Sequence, residues 1–365
     1  MNKIKRRLIY LSVLLYIATI LYYLILKKII FNQKIRISKH LIIYPLIFFT
    51  FLCIFLQITF QTYHNIFNFL YLIFYLIFAL YVNLFFPFSI LFFCYLIKIN
   101  LPFKISIFLF PIIGIIITIY GIYNSYQINI ERIKINCPEL KKKQLIICHL
   151  TDLHLGAING EKLVKKIVAK IEKEENLDLI VITGDIVDGT SPLEENTFSS
   201  FKNIKIPIYY IYGNREKYSF YNETKILLNK TNFIHLNNKN INFKNLINLI
   251  GIDYDNSNNK ITNLINQIII KNNLPNILLY HIPIFEPLNL KKWNIFLMLS
   301  GHTHGGQFFP IHFIMYYKNK LFEGLYNYLN KYYVYCCSGV GTNGPPMRTF
   351  SKAKIGIITL ENNNY

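Results

Sequence analysis

Acidic residues are scarce in this chain of 365 residues: 19 Asp and Glu stand against 39 Lys and Arg, a formal net charge of +20. The excess is mostly Lys, spread from end to end and accompanied by much Asn, Ile and Tyr, which marks a whole-sequence bias in composition. No dense Arg/Lys stripe interleaved with aromatics is present, so nucleic acid is not an expected partner. A solvated face or an anionic membrane surface accounts better for the charge. There is also no CxxC pair among the six cysteines, which argues against a structural zinc. Cys53 and Cys94 fall in apolar runs, Cys148 in a strand-like run, and Cys336 and Cys337 are adjacent. Buried free thiols are expected, with a disulfide from Cys137 to Cys336 or Cys337 left open should this part be exported.

What the chain has in abundance is uncharged apolar length, and it lies in the first third. Residues 8–26 form one run, bracketed by Lys3, Lys5, Arg6 and Arg7 before it and by Lys27 and Lys28 after it. A membrane span takes roughly 20 apolar residues, and this run has neither the length nor the small-residue cleavage site of a signal peptide. Further runs cover 41–60, 66–97 and 105–123. Four spans are expected over residues 1–125, with a fifth if the third tract breaks at Asn83–Pro87. An integral protein of a bacterial cytoplasmic membrane follows, with the bilayer as a partner. Positive charges divide almost evenly between the two sets of flanks, so the positive-inside rule leaves the sidedness open. None of the runs contains Asp or Glu, which removes the usual carriers of a proton or ion pathway. An anchor, or a lipid-facing vestibule, is the expected role, and a transporter the disfavoured one.

Residues 126–143 read as a linker and 144–361 as a second domain. In it, LIICHL (145–150), LIVIT (179–183), IYYIY (208–212), INLIGI (247–252), NILLYH (276–281), IFLMLS (295–300), YYVYCC (332–337) and IGIITL (355–360) read as buried strands. Between the first two, Leu163, Ile167 and Ile171 fall at helical spacing with Lys and Glu opposite. Strands alternating with such stretches imply an α/β domain, whose sites gather at the carboxyl ends of strands. Polar residues cluster there. They are Asp152 and His154, then Gly184-Asp185, then Gly213-Asn214-Arg215, then His281, and last Gly301-His302-Thr303-His304-Gly305-Gly306-Gln307. Carboxylate, imidazole and amide oxygen together suit hard and borderline divalent ions, and one carboxylate can bridge two of them.

Taken singly these signals are weak. Asp-x-His occurs in many turns, GDxxDG is more often a strand-ending turn, and a lone histidine after a strand is usually a packed one. GHTHGGQ is more specific, and the joint order of all five, each after a strand, is not a chance assembly. His64, His235 and His312 fit no such pattern; His40 reads as an interface residue, and His149 as packing or support.

At these residues the sequence resembles the calcineurin-like metallophosphoesterases, above all a membrane-linked branch ending in GHTHGGQ. The resemblance covers roughly 143–360 and extends to the late glycine-rich loop Gly339–Arg348. It implies a four-layer sandwich, two mixed β-sheets flanked by helices, with two divalent ions (Mn, Fe or Zn) between the sheet edges. By motif, Asp152, His154, Asp185 and His304 would hold one ion. Asp185 would bridge, and Asn214, His281 and His302 would hold the other. A hydroxide shared by the ions would attack phosphorus.

One position departs from the pattern. Most relatives carry His where this chain has Arg215. Arginine cannot act as a general acid near neutral pH, but its planar fork can clamp a phosphate or a departing oxyanion. The branch that cleaves UDP-diacylglucosamine, a lipid-linked pyrophosphate, also has Arg there. Arg215 and Asp185 are therefore the expected catalytic residues, and a lipid-linked pyrophosphate or activated phosphodiester is the expected substrate. The competing expectation is a catalytically weak, metal-dependent binding or sensory module that has lost the usual histidine. Finally, residues 308–326 are dense in Phe, Tyr, Ile and Leu, with Lys318 and Lys320 interleaved. They are expected to lie on a bilayer, against the bland alternative of core packing.

Overall fold

Strands that are apolar at every position need cover on both faces, and the computed structural model supplies it. It describes residues 65–97, 99, 103–216, 221–255, 258–268, 273–283, 287–309 and 311–364. Two compact units emerge: Met1–Ile122 with Gly344–Pro346, and Tyr123–Asn343 with Met347–Tyr365.

The first unit contains helices α1 (Asn65–Leu96) and most of α2 (Phe103–Ser125). They coincide with the third and fourth apolar tracts, and α1 continues unbroken across Asn83–Pro87. A buried hydrogen bond between the two helices joins Asn83 Nδ2 to Thr118 Oγ1 at 2.9 Å, and Thr118 bonds on to the Gly114 carbonyl. Phe69, Phe93, Ile116 and Ile119 are exposed instead. Among the described residues no helix is long and apolar enough to cross a membrane. The expected spans 8–26 and 41–60 lie outside the described residues.

Among the described residues the second unit holds twelve strands in two sheets. Strands β1 (Ile128–Asn136), β2 (Gln144–Leu150), β3 (Leu179–Thr183), β4 (Ile208–Ile211), β5 (Phe233–His235) and β12 (Ala353–Glu361) form one, in the order β1-β12-β2-β3-β4-β5. The other runs β10-β11-β9-β8-β7-β6, from β6 (Lys239–Phe243), β7 (Ile247–Ile252), β8 (Asn276–Tyr280), β9 (Ile295–Ser300), β10 (Gly324–Tyr328) and β11 (Tyr332–Cys336). Both sheets are mixed: β2, β3 and β4 pair parallel, as do β7, β8 and β9, while β12 runs against β2 and β10 against β11.

Alternation along β3 shows how the layers form. Leu179 and Val181 join a core with Leu249, Leu279 and Leu299 of the second sheet, and Ile180 and Ile182 join a core on the opposite face. That outer core is covered by α3 (Glu161–Ile171), whose Val164, Ile167, Val168 and Ile171 are buried while its lysines are exposed. The spacing i, i+3, i+4, i+7 is that of one helical face. Removing Ile167 down to Ala would cost about 2–5 kcal/mol. Beyond the second sheet, α5 (Asn258–Ile268) and α6 (Pro287–Lys292) bring Ile261, Ile265 and Leu290 against Ile250, Leu278 and Met298. Helix, sheet, sheet and helix are thus stacked as expected of a metallophosphatase sandwich. Another helix, α4 (Tyr221–Asn229), follows the β4 turn.

The linker expectation is corrected. Residues 128–136 form β1, which pairs parallel with β12 along its whole length. Glu131, Arg132 and Lys134 disguised it, because an edge strand carries charges on its open side; Glu131 accepts from Tyr335 and Lys354, and Arg132 and Lys134 pair with Glu174 and Glu361. Cys137, Cys148, Cys336 and Cys337 are buried free thiols, so the open disulfide does not form here.

Candidate metal centre

Loops leaving β2, β3, β4, β8 and β9 converge, and hydrogen bonds lock the first two side by side. His154 N donates to Asp185 O at 3.0 Å, Leu155 N to Ile186 O at 2.9 Å, and Asp188 N to Leu155 O at 2.9 Å. Asp152, His154, Asp185, His302 and His304 all have positive φ, between 47° and 72°. That region costs an L-residue about 1–2 kcal/mol, and such strain gathers at functional sites. Close approach requires glycine beside the carboxylates: a Cβ at Gly301 would fall on Asp152 Oδ2, and one at Gly213 on Asp185 Oδ1.

Each carboxylate is hydrogen-bonded through one oxygen and turns the other toward imidazoles. Asp152 Oδ2 accepts from Thr151 Oγ1 and from His302 N, both at 2.9 Å. Its Oδ1 has no hydrogen-bond partner and lies 3.4 Å from His304 Nε2 and 3.6 Å from His154 Nε2. Those two nitrogens are 3.1 Å apart. Asp185 Oδ1 accepts from Arg215 N at 2.8 Å. Its Oδ2 lies between His154 Nε2 at 3.6 Å and His281 Nε2 at 3.4 Å. His281 donates Nδ1–H to the Thr183 carbonyl at 2.8 Å, which fixes the tautomer and presents Nε2 to the centre, as a metal-binding histidine requires.

Carboxylate oxygens and imidazole nitrogens thus converge on one small region. Asp152, His154 and His304 form one group that could hold a metal ion, and Asp152, Asp185 and His281 form another. The residues present therefore fit two divalent cations. Charge agrees: burial pushes the Asp152 carboxyl up, but the surrounding imidazoles pull it well below the usual range. Asp185 is lowered against its burial by His281. Burial lowers His281 in turn, and the Asp185 carboxylate more than offsets this, raising it to about 10.

Five of the seven expected ligands fall in these two groups. His302 abuts them, with Nδ1 3.2 Å from His281 Nε2, and Asn214 is half-buried in the turn after β4. His149 is buried against Thr183 Oγ1 and the Tyr335 ring, outside both groups. His235 pairs with Asp253, and His312 donates Nδ1–H to the Gly305 carbonyl. His40 and His64 lie outside the described residues.

Arg215 is buried, its Nε 3.9 Å from Asp185 Oδ2. Its Nη2 donates to Asn343 Oδ1 at 2.5 Å, a partner that sequence reasoning missed.

Two further residues went unrecognised as supports. Glu216 accepts from the N–H groups of Asp185, Ile186, Val187 and Gly213. Burial, followed by the nearby Asp185 charge, raises its carboxyl to about 7. Arg348 is fully buried and donates to the carbonyls of His304, Ser338, Gly339, Gly341 and Lys352 and to Ser351 Oγ. It ties the glycine-rich loop to the His302–His304 turn. Its only legible signal was its place at the end of that loop; Glu216 left none beyond adjacency to Arg215.

A sandwich of two mixed sheets with carboxylates and imidazoles gathered at strand ends defines a metal-dependent hydrolase. The family model described as calcineurin-like phosphoesterase matches residues 145–306. An uncharacterized metallophosphoesterase of Campylobacter jejuni is 32% identical over 268 residues, 69% of this chain and 70% of the relative. One from Aquifex aeolicus is 27% identical, over 68% of this chain and 98% of its own length. The zebrafish protein named transmembrane protein with metallophosphoesterase domain is 29% identical over 68% of this chain and 61% of its own, and its cattle counterpart bears the same name. The chain belongs to the calcineurin-like metallophosphoesterase family and is a phosphoesterase hydrolase.

Proposed function

We propose that this protein hydrolyses a membrane-associated phosphodiester or pyrophosphate carrying a lipid, using a dinuclear centre. The observation that carries the reading is the position of Asp185 Oδ2, between His154 and His281, with Arg215 beside it. Asp152, His154 and His304 would hold one divalent ion and Asn214, His281 and His302 the other, with Asp185 shared. Such a pair supplies a nucleophile at neutral pH and neutralises charge on phosphoryl oxygens. The protein's own contribution is positional. Thr183 and Glu216 hold His281 and the Asp185 loop in place, and Asn343 steadies the Arg215 guanidinium beside the shared carboxylate. From there Arg215 can clamp a phosphoryl or leaving-group oxygen, and it donates no proton to it. A phosphate leaving group needs little protonation, so pyrophosphates suit this site better than alkyl esters.

Membrane attachment rests on the uncharged runs at 8–26 and 41–60, on the exposed apolar side chains of α1 and α2 around an inward Asn83–Thr118 pair, and on the two vertebrate relatives named as transmembrane proteins. Small residues and polar pairs at a helix contact are the pattern of packing in lipid, and Gly114 has that role here, since a Cβ would strike Leu84 and the Asn83 carbonyl. Protein purified in detergent with Mn²⁺ should turn over nucleoside-diphospho-lipids faster than generic diesters. Metal binding without turnover of any substrate in such a panel would favour the binding-module reading instead.

A further inference from the structure

Helix α7 (Ile311–Lys318, sequence IHFIMYYK) has no buried residue. A helix with so many apolar side chains is normally enclosed, yet Phe313, Ile314, Tyr316 and Tyr317 are exposed, Tyr317 by 85%. The patch continues onto Phe350, itself 60% exposed, whose ring lies 5.3 Å from the His312 ring. The expectation for residues 308–326 is thereby narrowed. Phe308 and Leu321 are buried, and Phe322 and Tyr326 half-buried; apart from Leu325, 38% exposed, the exposed apolar side chains described in this stretch are those of α7, which Phe350 extends.

Charge indicates what covers it. Between Gln307 and Phe322 the only formally charged side chains are Lys318 and Lys320. The first acid beyond, Glu323, is engaged by Lys354 at 2.7 Å. Aromatic and aliphatic side chains flanked by lysines and free of acids match an anionic bilayer interface, where rings sit at headgroup depth and Lys meets lipid phosphate. The helix is also fastened to the ligand turn. His312 N donates to Phe308 O at 2.9 Å, His312 Nδ1–H to Gly305 O at 3.1 Å, and a Cβ at Gly306 would strike His312.

We infer that α7, with Phe350, lies in an anionic bilayer interface and sets the His302–His304 turn at the depth of lipid headgroups. This rests on the membrane reading proposed above. The test places a tryptophan at position 317 by Tyr317→Trp in the full chain, reconstituted into phosphatidylcholine vesicles with and without phosphatidylglycerol and with brominated acyl chains. The parent protein reports Trp293 alone, which is buried and bonded to Asn266. A ring held ~5–10 Å into the boundary should lose about half its emission or more to the bromines, while Trp293 keeps its own; Phe313→Trp provides a second reporter. Lys318→Glu with Lys320→Glu should weaken the quenching only where phosphatidylglycerol is present. An equal response in both mixtures would overturn the anionic assignment. Protein that floats with the vesicles but shows no quenching of the added tryptophan overturns the inference and spares the membrane reading. Shielding by a second copy or another protein, without quenching, does the same. Protein that fails to float with vesicles overturns both.

Discussion

Two neighbouring stretches of this chain reverse the usual rule of burial in opposite senses. From Gly301 to Gln307 polar side chains are enclosed, with His304, Thr303 and Gln307 each less than a tenth exposed. From Ile311 to Lys318 apolar ones face outward. Burying a polar group is unfavourable unless it is bonded, and exposing an apolar one forgoes about 25 cal/mol for each Å² left in water. Neither stretch is explained by folding alone. The first brings His304 into a group that could hold a metal ion and the second, as proposed, meets a lipid surface, and the His312 hydrogen bonds join them.

The comparison can be broken most severely at the metal side. Asp185→Asn removes the shared oxygen charge and should lower metal-dependent turnover by more than the ~10–100-fold that loss of an outer support costs. Near-parental activity would refute the two-metal mechanism. In the same assay metal should load more readily as pH rises. His281, held protonated up to about 10 by the Asp185 charge, must lose that proton before it can bind. Loading that strengthens on acidification would count against His281 as a ligand.

Next in size is the leaving-group contrast set by Arg215. A general acid contributes about 10²–10⁴-fold, so alkyl esters should lag pyrophosphates and aryl diesters by that order. Arg215→His should narrow the gap if imidazole fits; a rate series flat across leaving groups would show that another residue supplies the proton. Smaller is Glu216→Gln, which keeps the side chain's size but weakens the clamp on four backbone N–H groups. A loss of ~10–100-fold in metal affinity is expected, read by titration with Mn²⁺, and unchanged affinity would reduce Glu216 to a packing residue. Smallest in stability is replacement of Phe313, Ile314 and Tyr317 by Ser. Exposed positions shift stability by about 0.5 kcal/mol or less each, so the melting curve and turnover of a small soluble diester should hold while turnover of a lipid substrate falls. Equal losses on both substrates would mean that α7 only supports the fold.

Much of the catalytic unit was legible because its signals are local. Five-residue apolar strands such as LIVIT announce burial on both faces, and the candidate ligands sit where those strands stop. The strands that escaped notice, β1, β5, β6 and β10, are sheet-edge or half-exposed elements whose residues, such as Lys239, Asn240 and Asn327, obey their neighbours more than any periodicity.

By itself the sequence determined the class of chemistry, since ligand type and order are written in the chain, and the separation of an apolar first third from an α/β remainder, since hydropathy is a property of composition. Only the tertiary structure decided which oxygen of each aspartate faces the imidazoles, that Glu216 and Arg348 hold the loops, that Arg215 leans on Asn343, and that Leu321 is sealed while Tyr317 is not. These depend on approaches between residues far apart in sequence, such as Arg215 with Asn343 and Asp152 with His304. No spacing rule encodes a meeting that two sheets must first be packed together to allow.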